Sequence, residues 1–388
     1  MHLFINALAA SAGGGLTYLR NVIPHLATRD DTRTTVLLSG KLQREFSEST
    51  NVSILPADDF PQIARRFWFE QRAVPRFIRQ SGADVLLSTG NFAIRNPTVP
   101  QILLSRNALY TSGHFEADLR ARGEFSLRID HRLKKAVAKW SIGAADCTVA
   151  PSEAFAQELR EWTGREITAI HHGFDRDAFV RDTAPLPVAV QERLDSKNGA
   201  LRILFVSHYN YYRNFETLFR AIRLIKLKLA PRKVKLFLTC QLAPGANPGS
   251  YSAGFAAALV RDLGISNQIV ELGAVPYKSL HQLYRSADVY VSPAYAESFA
   301  HPLVEAMSSG LPVVASSLAI HKEICGPAAL FFETFSPQEL ADRVVAVAQS
   351  QAFRAELSRA GYERSMAFSW KNHVERIIGL AKSLMPLG

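Results

Sequence analysis

Cysteine is scarce: the 388 residues hold three, Cys147, Cys240 and Cys325. They stand far apart and in no metal-ligand spacing, which argues against a disulfide scaffold or a zinc module. Reduced core thiols of a cytoplasmic protein are the expectation. No apolar run approaches the ~20 residues that a helix needs to span a bilayer. The opening Met1-His-Leu-Phe-Ile-Asn-Ala-Leu8 is apolar but carries no basic segment and runs into glycines, so it reads as a first strand and not as a signal peptide. Zinc-finger spacing, RNP-like aromatic motifs and a basic tail are all missing, so nucleic acid is not expected as a partner.

What is there describes a globular α/β chain. It is 47% hydrophobic and 21% charged, and its length suits two domains better than one core. The net charge of +10 divides as +3 over residues 1–180 and +7 over 181–388. Such an excess favours anionic partners, among them nucleotide diphosphates and anionic lipid surfaces.

The most informative stretch begins at the apolar run Asp288–Pro293, which reads as a buried strand. Glu297 follows in the loop. Pro302 then suits the first turn of a helix, where its missing N–H costs nothing, and Leu303, Ala306, Met307 and Leu311 keep helical spacing up to Gly310, a plausible stop. One carboxylate, Glu297, thus stands before the helix and a second, Glu305, one turn inside it. Between them the free N–H groups of the helix start, near Leu303 and Val304, form a site for anionic oxygens. Two carboxylates flanking an anion site can accept hydrogen bonds from a sugar and from a ribose, the demands of a nucleotide sugar.

The frame E-S-F-x-x-P-L-x-E-A-M-x-x-G-x-P-V-V-A, running from Glu297 to Ala315, resembles the donor-site signature of retaining GT-B glycosyltransferases of family GT4. Weaker matches recur from residue 1 to residue 380. The resemblance implies an α/β fold of two doubly wound, Rossmann-like domains facing across a cleft. An acceptor-binding domain would take residues 1–185 and a returning terminal helix, about 368–388, and a donor-binding domain residues 200–367. The implied reaction moves a sugar from GDP-mannose or another nucleotide diphosphate hexose to a hydroxyl of a glycan or lipid-linked glycan, without cofactor or catalytic metal. The place of work would be the cytoplasm, at the inner face of an anionic membrane if peripheral contact is made.

By the same resemblance, residues are assigned along the chain. Ser11-Ala-Gly-Gly-Gly15 follows the first strand, and Gly14 and Gly15 would face the donor. Ile63–Arg79 carries five arginines, one glutamate and four aromatics; it reads either as a core helix with solvated arginines or as a membrane or acceptor face, and Pro75 suggests a bend in it. The strand Val99–Ser105 ends at Arg106-Asn107, where many relatives place a histidine near the sugar, so Arg106 or Asn107 would stand there. Residues 115–140, net +3, offer a second candidate face or a solvated helix pair. Asp175-Arg-Asp177 has D-x-D form but sits in a glycine turn and reads as turn chemistry. Residues 182–199 read as the domain boundary.

After the strand Leu201–Val206, Ser207, His208 and Arg213 take the places of a family glycine, arginine and lysine that hold the pyrophosphate. Arg213 keeps a fixed charge, whereas His208 would be cationic only at lower pH or beside phosphate. Val275 and Tyr277 would meet the base. Glu305 would hold the ribose. Glu297, Ser298 and the backbone of Phe299 and Ala300 would hold the sugar, with Ala300 where glycine is usual and His301 beside donor phosphate or acceptor. Two other readings stay open: a phosphorylase or epimerase of the same fold, and a silent nucleotide-sugar-binding subunit.

Overall fold

The computed structural model describes residues 1–388 except 11–12, 61, 182, 196–198, 248, 250 and 386–388. Ser11, Ala12 and part of the boundary segment 182–199 therefore lie outside the described residues. The chain divides into two compact units: residues 1–111, 128–173 and 368–388, and residues 112–127 and 174–367. Residues 112–127 and 174–185, expected with the first domain, pack in the second unit.

The first unit is built on a parallel sheet of seven strands: β1 (His2–Asn6), β2 (Arg33–Ser39), β3 (Val52–Ala57), β4 (Val85–Ser88), β5 (Gln101–Leu104), β6 (Cys147–Ala150) and β7 (Thr168–Ala169). The spatial order is β3-β2-β1-β4-β5-β6-β7. Its central strands are continuous apolar runs, such as Val85-Leu-Leu-Ser88, buried at every position because helices cover both faces. The helix Trp370–Ser383 returns to this unit. Ser369 caps it by accepting the Asn372 N–H, and Trp370, Val374, Ile377, Ile378 and Ala381 enter the core beneath β1 and β2. Gly173 makes the seat possible: a β-carbon there would lie 2.0 Å from the Trp370 nitrogen. The helix is also tied by His373, whose Nδ1–H donates to the His171 carbonyl at 2.8 Å while Nε2 meets the Tyr18 hydroxyl at 3.1 Å.

The second unit holds a six-stranded parallel sheet: β8 (Leu201–Phe205), β9 (Val234–Leu238), β10 (Ile269–Glu271), β11 (Val289–Ser292), β12 (Val313–Ser316) and β13 (Ala329–Phe332), in the order β10-β9-β8-β11-β12-β13. In both sheets the first strand lies beside the fourth, so each has a switch point where successive connections leave in opposite directions. Ligands of doubly wound sheets bind beyond the carboxyl ends of the strands at that point.

Two local expectations change. The helix Ile63–Ser81 runs on through Pro75 and ends only at Gly82, whose φ of 64° is the left-handed conformation of a glycine stop. Residues 115–140 form a helix pair, as one of the two readings held, but not a wholly solvated one: the helix Gly113–Ala121 buries Phe115 and Leu119 within the second unit, and the helix Phe125–Ala144 leads back to the first. The cysteines are as expected: all three are free, with Cys240 and Cys325 buried and Cys147 partly so.

Candidate active site

In the second unit the two loops that leave the switch point carry the charged groups. β8 runs into the loop Val206–Asn210 and a single turn, Tyr211–Arg213, before the helix Phe215–Lys228. β11 runs into the loop 293–300 and then the helix His301–Ser308. Because β8 and β11 are neighbours, Arg213 and Glu297 meet although 84 residues separate them: Arg213 Nη1 donates to Glu297 Oε2. Both side chains are largely buried, at 19% and 13% exposure. Burial opposes the charge on Arg213, but the Glu297 carboxylate outweighs it and holds the guanidinium pKa above its usual value. The Arg213 Nε–H has no acceptor among the described residues. A cation fixed in place with donor capacity to spare suits a phosphate oxygen.

Glu305 lies one turn into the helix His301–Ser308 and is 6% exposed. Burial raises its pKa from 4.5 to about 7, with partial relief from the Tyr284 hydroxyl, which donates to Oε2 at 2.8 Å. The Tyr277 hydroxyl lies in the field of Glu305, and Tyr290 on β11 lies in the field of Arg213, Glu305 and Glu297 together. The structure thus gathers Arg213, Glu297, Glu305 and Tyr277 about one end of the sheet.

Ala300 precedes the helix with φ 65° and ψ 55° and is buried. This left-handed backbone costs an L-residue with a β-carbon ~1–2 kcal/mol, which is the physical reason glycine suits the position. The Leu303 N–H is taken by the Ala300 carbonyl at 3.0 Å, so that donor of the expected anion site is already engaged. Phe299 is buried, with its ring 4.7 Å from that of His301. Ser298 donates its N–H weakly to Glu297 Oε1 at 3.4 Å. Ser207 is fixed by Thr239, whose Oγ1 accepts its N–H at 2.9 Å; His208 is exposed, and Val275 is half-buried. Asp175 of the D-x-D triplet accepts the Ala178 N–H, capping a short helix.

One residue at this site had no role in the sequence reading. His321 is fully buried, and its Nδ1 contacts the carbonyl and the hydroxyl of Ser316, each at 3.0 Å. A carbonyl can only accept, so the proton sits on Nδ1, and Nε2, without a partner among the described residues, carries a lone pair. Burial lowers the imidazole pKa to about 4; Glu297 pulls it up and Arg213 pushes it down. A histidine at helical spacing with Ile320, Ile324 and Cys325 is the one signal that could have singled it out.

In the first unit, Arg106 is the residue that reaches the glycine turn. Its Nη1 donates to the Gly14 carbonyl at 3.2 Å, its Nη2 to the Thr89 carbonyl at 2.6 Å, and its guanidinium lies 5.2 Å from the Tyr18 ring. A β-carbon at Gly15 would stand 3.0 Å from Ala10 Cα, so the turn is tight there, whereas Gly14 faces open space. Asn107 instead caps a turn, accepting the Leu109 N–H at 3.1 Å. Glu70, 4% exposed, lies near Asn6 at the carboxyl end of β1; burial raises its pKa to about 7 against the pull of Arg66 and Asn6.

Comparison with known proteins now decides the family. The family described as "Glycosyl transferases group 1" matches residues 190–364, and that described as "Glycosyltransferase Family 4" matches residues 12–178. The chain belongs to the group 1 glycosyltransferases. D-inositol 3-phosphate glycosyltransferase of Corynebacterium aurimucosum is 26% identical over 53% of this chain and 48% of its own length. The chain spans about half the length of the first curated relatives it matches. Sucrose-phosphate synthase from Thermosynechococcus elongatus superposes with a TM-score of 0.77 at 19% identity, covering 99% of each chain. Anabaena HepE, solved in complex with UDP-glucose, gives 0.73 at 18% identity, covering 99% of this chain and 100% of its own. The fold of this group 1 glycosyltransferase is therefore the GT-B fold, with two parallel sheets of seven and six strands and a C-terminal helix that returns to the first unit.

Proposed function

We propose that this chain transfers a hexose from a nucleotide diphosphate sugar to a hydroxyl of a glycan or lipid-linked glycan, with retention at the anomeric carbon. The observation that carries the reading is the Arg213–Glu297 pair at the switch point of the second sheet, with Glu305 one helical turn beyond. Arg213 and His208 meet the diphosphate; Glu297 and the backbone of Phe299 and Ala300 hold the sugar; Glu305 accepts from the ribose hydroxyls. The C1–O bond to the diphosphate breaks as the acceptor oxygen bonds to C1 on the same face, and the acceptor proton passes to the leaving phosphate oxygen. Positioning and stabilisation of the departing charge supply the rate, and with the fixed charge of Arg213 at the diphosphate the transfer would need no metal. A relative's structure with UDP-glucose supports a nucleotide sugar as donor.

Acceptor and membrane contact belong to the first unit in this reading. The helices Ile63–Ser81 and Phe125–Ala144 border a groove of about 650 Å³, whose walls include Phe67, Trp68, Trp140 and Arg95. Trp68 and Trp140 are exposed on its walls, and Ile129 and Leu133 are exposed on the helix Phe125–Ala144, which also carries Arg132, Lys134 and Lys139. Apolar tips among cations suit an anionic lipid surface. No helix among the described residues is long and apolar enough to cross a membrane.

The test is a thermal-shift panel of GDP, UDP, ADP and dTDP, with and without EDTA. A ligand at a hundred times its Kd adds ~2.7 kcal/mol. One nucleotide should raise the melt of the wild type, and the Arg213→Ala variant should lose that shift. An unchanged shift in the variant would remove Arg213 from the site, and no shift from any nucleotide would favour the silent-subunit reading.

A further inference from the structure

Residues 112–127 come from the first half of the chain yet pack in the second unit. Ser112 starts their helix by accepting the Phe115 N–H at 3.2 Å, and Phe115 and Leu119 bury its apolar face. We propose that this segment is a strap that positions the two loops of the donor site, with Arg122, Asp118 and Glu124 as positioning residues for the transfer. The role in transfer rests on the donor-site reading above; the mechanical role does not.

Each loop carries a buried tyrosine two residues before its charged group: Tyr211 before Arg213, and Tyr295 before Glu297. Both tyrosines are held by carboxylates of the strap. The Tyr211 hydroxyl donates to Glu124 Oε1, and the Tyr295 hydroxyl donates to Asp118 Oδ2 at 2.7 Å. Arg122 binds these contacts into one network. Its Nε donates to Asp118 Oδ1 at 2.6 Å, and its Nη2 donates to Glu216 Oε1 at 2.8 Å, in the helix that follows Arg213. Its guanidinium also lies 4.2 Å from the Tyr211 ring centre. The loops are joined in turn: the Tyr295 N–H donates to the Tyr212 carbonyl at 3.0 Å, and Asn214 Nδ2 donates to the Pro293 carbonyl at 3.0 Å.

Phe115 and Leu119 would suffice to dock a helix. The strap's charged groups are instead directed at the loops that hold Arg213 and Glu297, and charge-assisted bonds of low exposure are the strong ones. A site that must place a cation on the diphosphate and a carboxylate on the sugar needs both loops fixed to about 0.5 Å.

Hydrogen exchange on the full chain tests the strap without any ligand. In the Arg122→Lys variant and in the milder double variant Tyr211→Phe/Tyr295→Phe, amides of residues 206–214 and 293–300 should exchange at least tenfold faster, with residues 340–365 unchanged. Loops that keep wild-type rates while residues 112–127 exchange faster would overturn the proposal, as would a uniform acceleration of the whole unit. With whichever nucleotide of the panel stabilises the wild type, the double variant should bind at least tenfold more weakly; binding within twofold of wild type would refute the role in transfer. If the wild type binds no nucleotide, the donor-site reading falls and the exchange result still decides the strap.

Discussion

Replacing Glu305 by Gln isolates what it costs to keep a carboxyl buried at this site. The residue is 6% exposed, and burial lifts its pKa from 4.5 to about 7. Between these values the native state holds a proton that the unfolded chain has released. Stability from this group is therefore fully present below about pH 4.5 and is lost as pH rises through 7. At 1.36 kcal/mol per unit, the carboxyl removes about 3 kcal/mol by pH 8. Gln does not titrate, and its carbonyl can still accept the Tyr284 hydroxyl that Glu305 accepts now. The Glu305→Gln protein should thus match the wild type near pH 4.5 and exceed it by up to ~3 kcal/mol at pH 8, or about 6–12 °C in Tm for a unit of this size. Urea or thermal unfolding of both proteins at pH 4.5, 6, 7 and 8 gives the comparison, and every other titrating group cancels in the difference. The same variant should bind nucleotide more weakly at pH 8, because a neutral amide loses the charge-assisted bonds to ribose. A stability difference that stays flat with pH would refute the argument that burial penalises this charge.

Ala300→Gly should stabilise the protein. Relief of the left-handed β-carbon is worth ~1–2 kcal/mol and the extra unfolded-state freedom of glycine returns ~0.4–1, leaving a rise of a degree or two that a thermal melt resolves; a lower Tm would contradict the reading. Gly173→Ala drives a β-carbon against the Trp370 backbone and should cost at least ~1–3 kcal/mol, visible as a lowered urea midpoint; an unchanged midpoint would mean the terminal helix does not seat there. Trp68→Ser/Trp140→Ser removes two exposed rings and should weaken sedimentation with phosphatidylglycerol vesicles while leaving the melt unchanged; undiminished sedimentation would clear this face of a membrane role.

The sequence by itself determined what short-range chemistry can encode. The apolar run Asp288–Pro293, Pro302 in a first helical turn and Gly310 as a stop place Glu297 in a loop and Glu305 on a helix, and the structure has them there. Ser152 and Ser369 each cap the helix that follows by accepting an N–H three residues on, a contact local to the chain. These signals span a few residues and act wherever the segment lies. Tertiary structure alone decided the rest. Arg213 meets Glu297 because β8 and β11 are neighbours, and strand order is not written in either segment. His321 reads as one more residue of a helix until β12 sets it in the field of that pair. Pro75 reads as an interruption until the surrounding packing carries the helix through it. Residues 112–127, with two arginines and three acidic residues, have the composition of a solvated helix. Only the buried partners Tyr211, Tyr295 and Glu216, distant in sequence, turn their charges inward and bind them to the second unit.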